Sequence, residues 1–321
     1  MVYAKECQPS LRLQKFEALD WRIPLNHPIR PEFQAEYKSW LAGYKGEKAV
    51  LFYLSLLPEE KYLIFHDLRL QLGKYYFQID FLLLCSSFGL VLEVKNRKGQ
   101  YHFDKNTNET LLKTNESEER IKNPVLQAKI QARKLKRWLQ KNHCPDVPIY
   151  YLFVNSNERA TFKVDPGNEQ ILQTLCHAES LLEKINKIEN CLTEDKLDVK
   201  ELKKVKRLLL SSHTPDNPDL MQHFQLSHYD ILTGVLCPKC LYVPMNYTHG
   251  KWCCPTCHIE SKTAHIQAVN ACFLLYGPSI TNSQLRKFLH MDSPRCMIRI
   301  INSMNLSHKG TFRNRVYFLK K

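Results

Sequence analysis

The chain has 321 residues, enough for two or three domains and one sizeable core. Hydrophobic residues make up 44% and charged residues 24%, an ordinary soluble composition, and no stretch approaches ~18 uninterrupted apolar residues, which excludes a spanning helix. A formal net charge of +14 predicts a polyanionic partner, with nucleic acid ahead of an anionic membrane surface.

The first ten residues contain no apolar run of signal-peptide length. Five of the twelve cysteines crowd into 237–257, and the others are scattered singly. Together these predict a cytoplasmic chain with reduced thiols and a metal site, not a disulfide framework.

Residues 1–31, with Pro9, Pro24, Pro28 and Pro31 and weak periodicity, read as an irregular N-terminal arm. Residues 32–57 read as one or two helices with a possible break at Gly43 and Gly46; Tyr44, Glu47, Leu51 and Leu54 fall on one stripe. Pro58 ends this segment, and 62–72 reads as a strand closed by a Gly73-Lys74 turn.

The next stretch, 78–96, reads Q-I-D-F-L-L-L-C-S-S-F-G-L-V-L-E-V-K-N. Two apolar runs around Ser86-Ser87 predict two strands and a tight turn. A two-residue turn there sets Asp80 opposite Glu93 with Cβ atoms roughly 5 Å apart, and Lys95 shares the face of Glu93.

Gly99 breaks the pattern, 100–104 gives a short strand, and 105–119 reads as a polar loop with room for a small hairpin. Residues 123–141 form an amphipathic helix with Val125, Ala128, Leu135, Trp138 and Leu139 on its apolar side. It is strongly basic, Arg133 and Arg137 included, with no acid between Arg120 and Cys144. Residues 149–154 read as a strand. The order helix, three or more strands, helix, strand describes a small α/β domain ending near 175. Residues 175–210 read as two charged helices split around Thr193, and 211–219 as a linker holding Pro215 and Pro218.

The pattern D-x12-E-x-K is the minimum set for a metal-dependent phosphodiesterase. Asp80 and Glu93 would hold a hard cation, Mg2+ or Mn2+, and Lys95 would position water or stabilise developing charge. An ordinary ion-paired strand satisfies the same spacing. Around it stand G-x-x-G-E at Gly43–Glu47, H-D-L at His66–Leu68, Q-I-D at Gln78–Asp80, E-V-K-N at Glu93–Asn96, Gly99, and N-P-x-x-Q at Asn123–Gln127.

This ordered set resembles the nuclease-related domain called NERD, a branch of the PD-(D/E)xK nuclease superfamily, over roughly 37–155. The resemblance implies an αβββαβ-type mixed sheet flanked by helices. It implies catalytic roles for Glu47, Asp80, Glu93 and Lys95, and a polar role for Gln127 on the helix after the sheet. Ile79 stands where the superfamily name has proline. His66 reads as a satisfied strand histidine.

C-P-K-C at 237–240 and C-P-T-C at 254–257 give zinc-ribbon spacing, so Cys237, Cys240, Cys254 and Cys257 are the expected ligands of a structural Zn2+. Cys253 is an alternative to Cys254. Residues 262–321 carry ten Lys or Arg and one acid, Asp292. Helices over 264–276, 283–290 and from 294 to about 304, then a hairpin around Gly310, look like a winged-helix module. Arg295 and Arg299 on its third helix and Arg313 and Arg315 on its hairpin are the candidate DNA contacts.

The expected division is therefore an arm at 1–31, a nuclease-like α/β domain at 32–175, helices at 176–212, a linker at 213–235, a ribbon at 236–260 and the basic module at 262–321. The expected function is Mg2+-dependent hydrolysis of phosphodiester bonds in DNA, with RNA left open and no membrane partner. A non-catalytic nucleic-acid-binding or regulatory protein with the same fold is the second reading.

Overall fold

A computed structural model describes residues 2–58, 60–107, 109–192, 194–311 and 314–320. Arg313 lies outside the described residues, as does Thr193. The chain divides into two compact units, Met1–Ser10 with Ser39–Asp216, and Leu11–Lys38 with Asn217–Lys321. No described helix is long and apolar enough to cross a membrane.

The expected irregular arm is instead strand β1 (Val2–Lys5) and helix α1 (Leu11–Asp20), followed by α2 (Arg30–Leu54). The prolines sit between these elements, not inside them, except Pro31 in the first turn of α2, where its missing N–H costs no hydrogen bond. Helix α2 runs unbroken through Gly43 and Gly46. Gly46 is there for space: a Cβ would stand 2.5 Å from Asn96 Cβ and 2.7 Å from Ser156 Oγ.

The first unit continues with β2 (Leu63–Leu72), β3 (Tyr75–Leu84), β4 (Gly89–Lys95), β5 (Gly99–Phe103), β6 (Thr110–Lys113), β7 (Glu118–Ile121), α3 (Pro124–Lys141), β8 (Ile149–Asn155), β9 (Ala160–Val164) and β10 (Leu175–His177). Helices α4 (Leu181–Asn190) and α5 (Val199–Ser212) close it. The main sheet is mixed, in the order β1-β2-β3-β4-β8-β10, and a second sheet runs β7-β6-β5-β9. The polar stretch after β5 does contain the hairpin, β6 with β7. Residues 175–177, expected to open a helix, instead add a parallel edge strand to β8.

Apolar residues on the two faces of the main sheet feed two separate cores. Val50 and Leu54 of α2 and Leu181 and Ile185 of α4 pack with Phe81, Leu83, Leu90 and Leu92. Leu135 and Trp138 of α3 and Val205 and Leu209 of α5 pack with Ile79, Leu82, Leu84 and Val91. The expected β3–β4 register holds from Leu84↔Gly89 to Phe81↔Leu92, with Cys85 N–H donating to Phe88 O across the two-serine turn.

The second unit adds α6 (Leu220–His223), β11 (Asn246–Thr248), β12 (Lys251–Cys253), β13 (Glu260–Ser261), α7 (His265–Tyr276), β14 (Ile280–Thr281), α8 (Asn282–Leu289), α9 (Pro294–Ser303), β15 (Ser307–Lys309) and β16 (Val316–Phe318). Part of the expected linker is core: Leu220, Met221, Phe224 and Ile231 pack with Phe16, Leu19 and Phe33. The cysteine ribbon and the C-terminal helices share another core, in which Met245 and Trp252 meet Val269, Phe288, Met297 and Ile301. Thr281 and Ser293 cap α8 and α9, and β14-β16-β15 form a small antiparallel sheet.

Candidate functional site

Period-2 alternation fails at one level of the main sheet, and the acidic residues gather there. In β3, Phe77 and Ile79 face the same core as Leu82 and Leu84, so the phase slips at Asp80. In β2, Phe65 and Leu68 face one core, so the phase slips at His66-Asp67. Asp67 has φ 51°, the left-handed region. The β2–β3 ladder pairs His66↔Phe81 and Leu68↔Ile79 but leaves out the rung between them. Such irregularities re-aim side chains that a regular strand would bury or expose alternately.

Asp80 Oδ2 accepts the backbone N–H of Val94 at 2.8 Å, just past the last β3–β4 rung. Lys95 Nζ donates to Glu93 Oε1 at 2.5 Å, and Glu93 is only 4% exposed. Helix α2 delivers Glu47, because Gly46 lets it lie against β4 and Asn96 Nδ2 donates to Ala42 O at 3.0 Å. Glu47 Oε2 lies 2.7 Å from Nε2 of His66, which is itself buried.

The electrostatics tie the four expected residues into one group. Burial, and then the charges of Glu93 and Glu47, push the Asp80 carboxyl well above the usual carboxylate range against the pull of Lys95. Burial and Asp67 push Glu47 up to about 8, again opposed by Lys95 and Lys5. Burial alone would lower Lys95, but Glu93 and Asp80 outweigh it and leave it raised. Burial lowers His66 to about 4.

Three residues not singled out for the site, His66, Asp67 and Lys5, belong to this network. Lys5 Nζ donates to His66 O at 2.7 Å, and Gln78 Nε2 donates to Asp67 Oδ1 at 2.6 Å. The histidine is not a bystander in its strand: it holds Glu47. The signal was the polar pair His66-Asp67 inside the apolar run L-I-F-H-D-L-R-L.

The donor chemistry fits a hard divalent cation. When ionised, Glu47, Asp67, Asp80 and Glu93 outnumber Lys5 and Lys95, and a bound cation would relieve the burial and mutual repulsion that hold Glu47 and Asp80 protonated. Asp80 keeps Oδ1 and Glu93 keeps Oε2 beyond the hydrogen bonds above. Two carboxylates completed by water are a usual Mg2+ set. The acids are not drawn into a tight cage: among the described residues, the one group of three or more His, Cys, Asp or Glu whose ligand atoms all lie within 4.8 Å of one another is Cys237, Cys240, Cys254 and Cys257.

Those cysteines fit zinc. Sγ–Sγ separations of 3.5 Å, for Cys237–Cys257 and Cys240–Cys254, approach the ~3.8 Å edge of a tetrahedron with 2.3 Å Zn–S bonds. Lys239 and Cys240 N–H groups point at Cys237 Sγ, and Cys257 N–H points at Cys254 Sγ. Burial would raise the Cys254 thiol, but N–H donors from Cys257 and Thr256 bring it down to about 6. Cys253 turns away and contacts Thr248 Oγ1 at 3.2 Å, which decides between it and Cys254.

Of the candidate nucleic-acid contacts, Arg133 and Arg137 are exposed on α3, and Arg295 and Arg299 on α9. Arg315 is half-buried, with its Nε sealed and unpartnered. Gln127 lines a surface cavity with Thr110, Arg120 and Lys122; among the described residues its side chain makes no hydrogen bond to the carboxylates.

A family model described as nuclease-related domain (NERD) matches residues 42–156. No curated protein and no solved structure matches the chain. The matched span covers Glu47, the β3–β4 hairpin with Asp80, Glu93 and Lys95, and α3 with Gln127, so the part of the chain that gathers these side chains is the part similar to a nuclease-related domain.

Proposed function

We propose that the protein is a metal-dependent nuclease that hydrolyses phosphodiester bonds in DNA. The observation that carries this reading is the convergence of Glu47, Asp80, Glu93 and Lys95 inside the nuclease-related domain. Asp80 and Glu93 would hold Mg2+ or Mn2+, which supplies positive charge at a phosphoryl oxygen and lowers the pKa of water. Lys95, held by Glu93 Oε1, stabilises charge developing on the phosphate. Glu47 shares a proton with His66 Nε2 and holds that side of the site.

In this reading the exposed arginines of α3 and α9 take DNA phosphates. Helices α7, α8 and α9 with the small sheet look like a winged-helix module, α9 being the helix offered to a groove. Zinc at the four cysteines is structural, because a closed thiolate set leaves no position for water. A non-catalytic DNA-binding role is the second reading. What favours it is that Glu93 Oε1 and Glu47 Oε2 are already engaged by Lys95 and His66. Plasmid and single-stranded DNA incubated with the protein, with and without Mg2+ or Mn2+, separate the two: cleavage that requires the ion supports the first, and binding without cleavage the second.

A further inference from the structure

The second unit holds a cavity of about 430 Å3, walled by residues of α7 and α8 and of the segment 228–233. That volume falls within the ~300–1,000 Å3 of small-ligand sites. Half of the wall is aromatic: His228, Tyr229, Tyr276 and Phe288. The His228 ring centre stands 4.8 Å from that of Tyr276 at an interplanar angle of 33°, and Phe288 meets Tyr276 edge-on at 5.5 Å. His228 is exposed, so it is the open end of this stack. Tyr229 is 99% exposed, which leaves its ring unpacked at the rim.

Among the described residues no acid lines the cavity, and Lys287, exposed on α8, is its one permanent cation. A second cation stands behind the wall. The buried Arg22 guanidinium lies 4.6 Å from the centre of the Phe288 ring, and its charge is felt by Cys272 and Tyr276, both wall residues. It is bound at Leu232 O and Gly234 O and does not open into the cavity. Its charge acts there only through the field, which burial screens weakly. Burial pushes the Cys272 thiol up to about 12 and raises the Tyr276 phenol, so neither ionises to cancel it. Gln284 Oε1 accepts the Thr281 N–H at 2.8 Å and the Thr281 hydroxyl at 2.9 Å, which leaves Gln284 Nε2 as a donor held in place.

We propose that this cavity takes one unpaired nucleobase of a nucleotide, stacked on His228 and Tyr229, with the adjoining phosphate on Lys287 and a base acceptor on Gln284 Nε2. The proposal rests on the nucleic-acid reading above but not on the carboxylate chemistry. An aromatic wall in a positive field selects a planar ring that carries an anion. Aromatic faces stack any base, so one amide donor leaves the site tolerant of sequence. The nucleotide is either free or part of a strand.

The test uses the full-length protein without divalent metal, titrated calorimetrically with the nucleoside 5′-monophosphates, a short single-stranded oligonucleotide and an oligomer of the same length made of abasic sites. His228→Ala, Tyr229→Ala and Lys287→Gln are titrated alongside; all three side chains are exposed, and thermal melting checks that each variant is folded. Each aromatic variant should weaken the base-bearing ligands by at least ~5-fold, the lower end for a lost base stack, and leave the abasic oligomer unchanged. Lys287→Gln should weaken both oligomers alike and lower the slope of log affinity against log salt by about 0.7, one single-strand phosphate contact. Saturation by monophosphates assigns a free nucleotide; saturation by the oligonucleotide alone, with the same sensitivity to Tyr229→Ala, assigns a strand. Strand binding that both aromatic variants leave unchanged, or that they weaken equally in the abasic oligomer, overturns the proposal and leaves the nuclease reading standing. No saturation by any ligand overturns it as well, while metal-dependent cleavage judges the nuclease reading separately.

Discussion

Asp67 and Asp80 occupy opposite positions at the one rung missing from the β2–β3 ladder, between His66↔Phe81 and Leu68↔Ile79. The opened rung frees Asp80 to take the Val94 N–H, and it turns Asp67 toward Gln78 and the Lys5 ammonium. A regular hairpin would have kept the ladder and set these two carboxylates side by side on one face. The acidic network therefore rests on an irregularity shared by two adjacent strands.

The Glu47–His66 pair gives the stability a pH signature. Folded Glu47 holds its proton up to about pH 8 against an ordinary 4.5, so the folded chain binds more protons in that window and loses stability as pH rises through it. His66 is lowered from 6.5 to about 4, so it adds stability as pH rises over that range. The two oppose each other below 6.5, and a net loss remains between 6.5 and about 8. The melting temperature of metal-free protein should fall across that window, and Glu47→Gln should flatten the fall. An unchanged slope in the variant would show that Glu47 does not carry the proton.

Gly46→Ala tests the seating of α2. The added Cβ would meet Asn96 Cβ at 2.5 Å and Ser156 Oγ at 2.7 Å, so the helix must shift. Thermal unfolding should show a loss of about 1–3 kcal/mol, the usual range for overpacking. Gly43→Ala, with nothing within 4 Å, should be neutral or mildly stabilising. Equal melting of the two variants would contradict the close approach.

With zinc at the four cysteines, as proposed, the shared core would make the metal a condition for the C-terminal fold. Met245, Trp252, Cys237 and Cys254 pack directly with residues of α7, α8 and α9. Protein purified without added metal should contain about one zinc per chain. Cys237→Ser should lose it and expose α7–α9 to limited proteolysis, since metal binding and folding would then be coupled. Proteolytic resistance equal to wild type would separate the ribbon from the helices.

The same core rules out deletion of 262–321 as a clean test of DNA binding, because it would strip Trp252 of its packing. Point changes are better. Arg295→Ala with Arg299→Ala removes two exposed charges and should lower the slope of log affinity against log salt by about 2, at ~0.9 per phosphate contact. Equal slopes would show that α9 does not touch the phosphates.

Much of the nuclease-related domain was legible because its signals are local. Two apolar runs and a serine pair specify the β3–β4 register, Asn123-Pro124 marks the start of α3, and Thr281 and Ser293 mark two later helix starts. The Cys-Pro-x-Cys repeats specify their own tetrahedron. What stayed hidden depends on distant packing. Prolines made 1–31 look irregular, yet β1 is held by pairing with β2, and α1 by Phe16 and Leu19 meeting Phe224. Gly43 and Gly46 looked like a break because propensity says nothing of the Asn96 side chain that needs the space. His66 was passed over because a buried strand histidine has the same local pattern whether or not a glutamate on another element meets it.

The most direct measurement is divalent-metal-dependent cleavage by wild type, Glu93→Ala and Lys95→Ala, each shown to be folded by thermal melting. The account predicts cleavage by wild type only with Mg2+ or Mn2+, and a loss of at least about 100-fold in both variants, as for removal of one stabilising group from a transition state. Wild-type cleavage that persists unchanged in both variants, or that needs no metal, would contradict it.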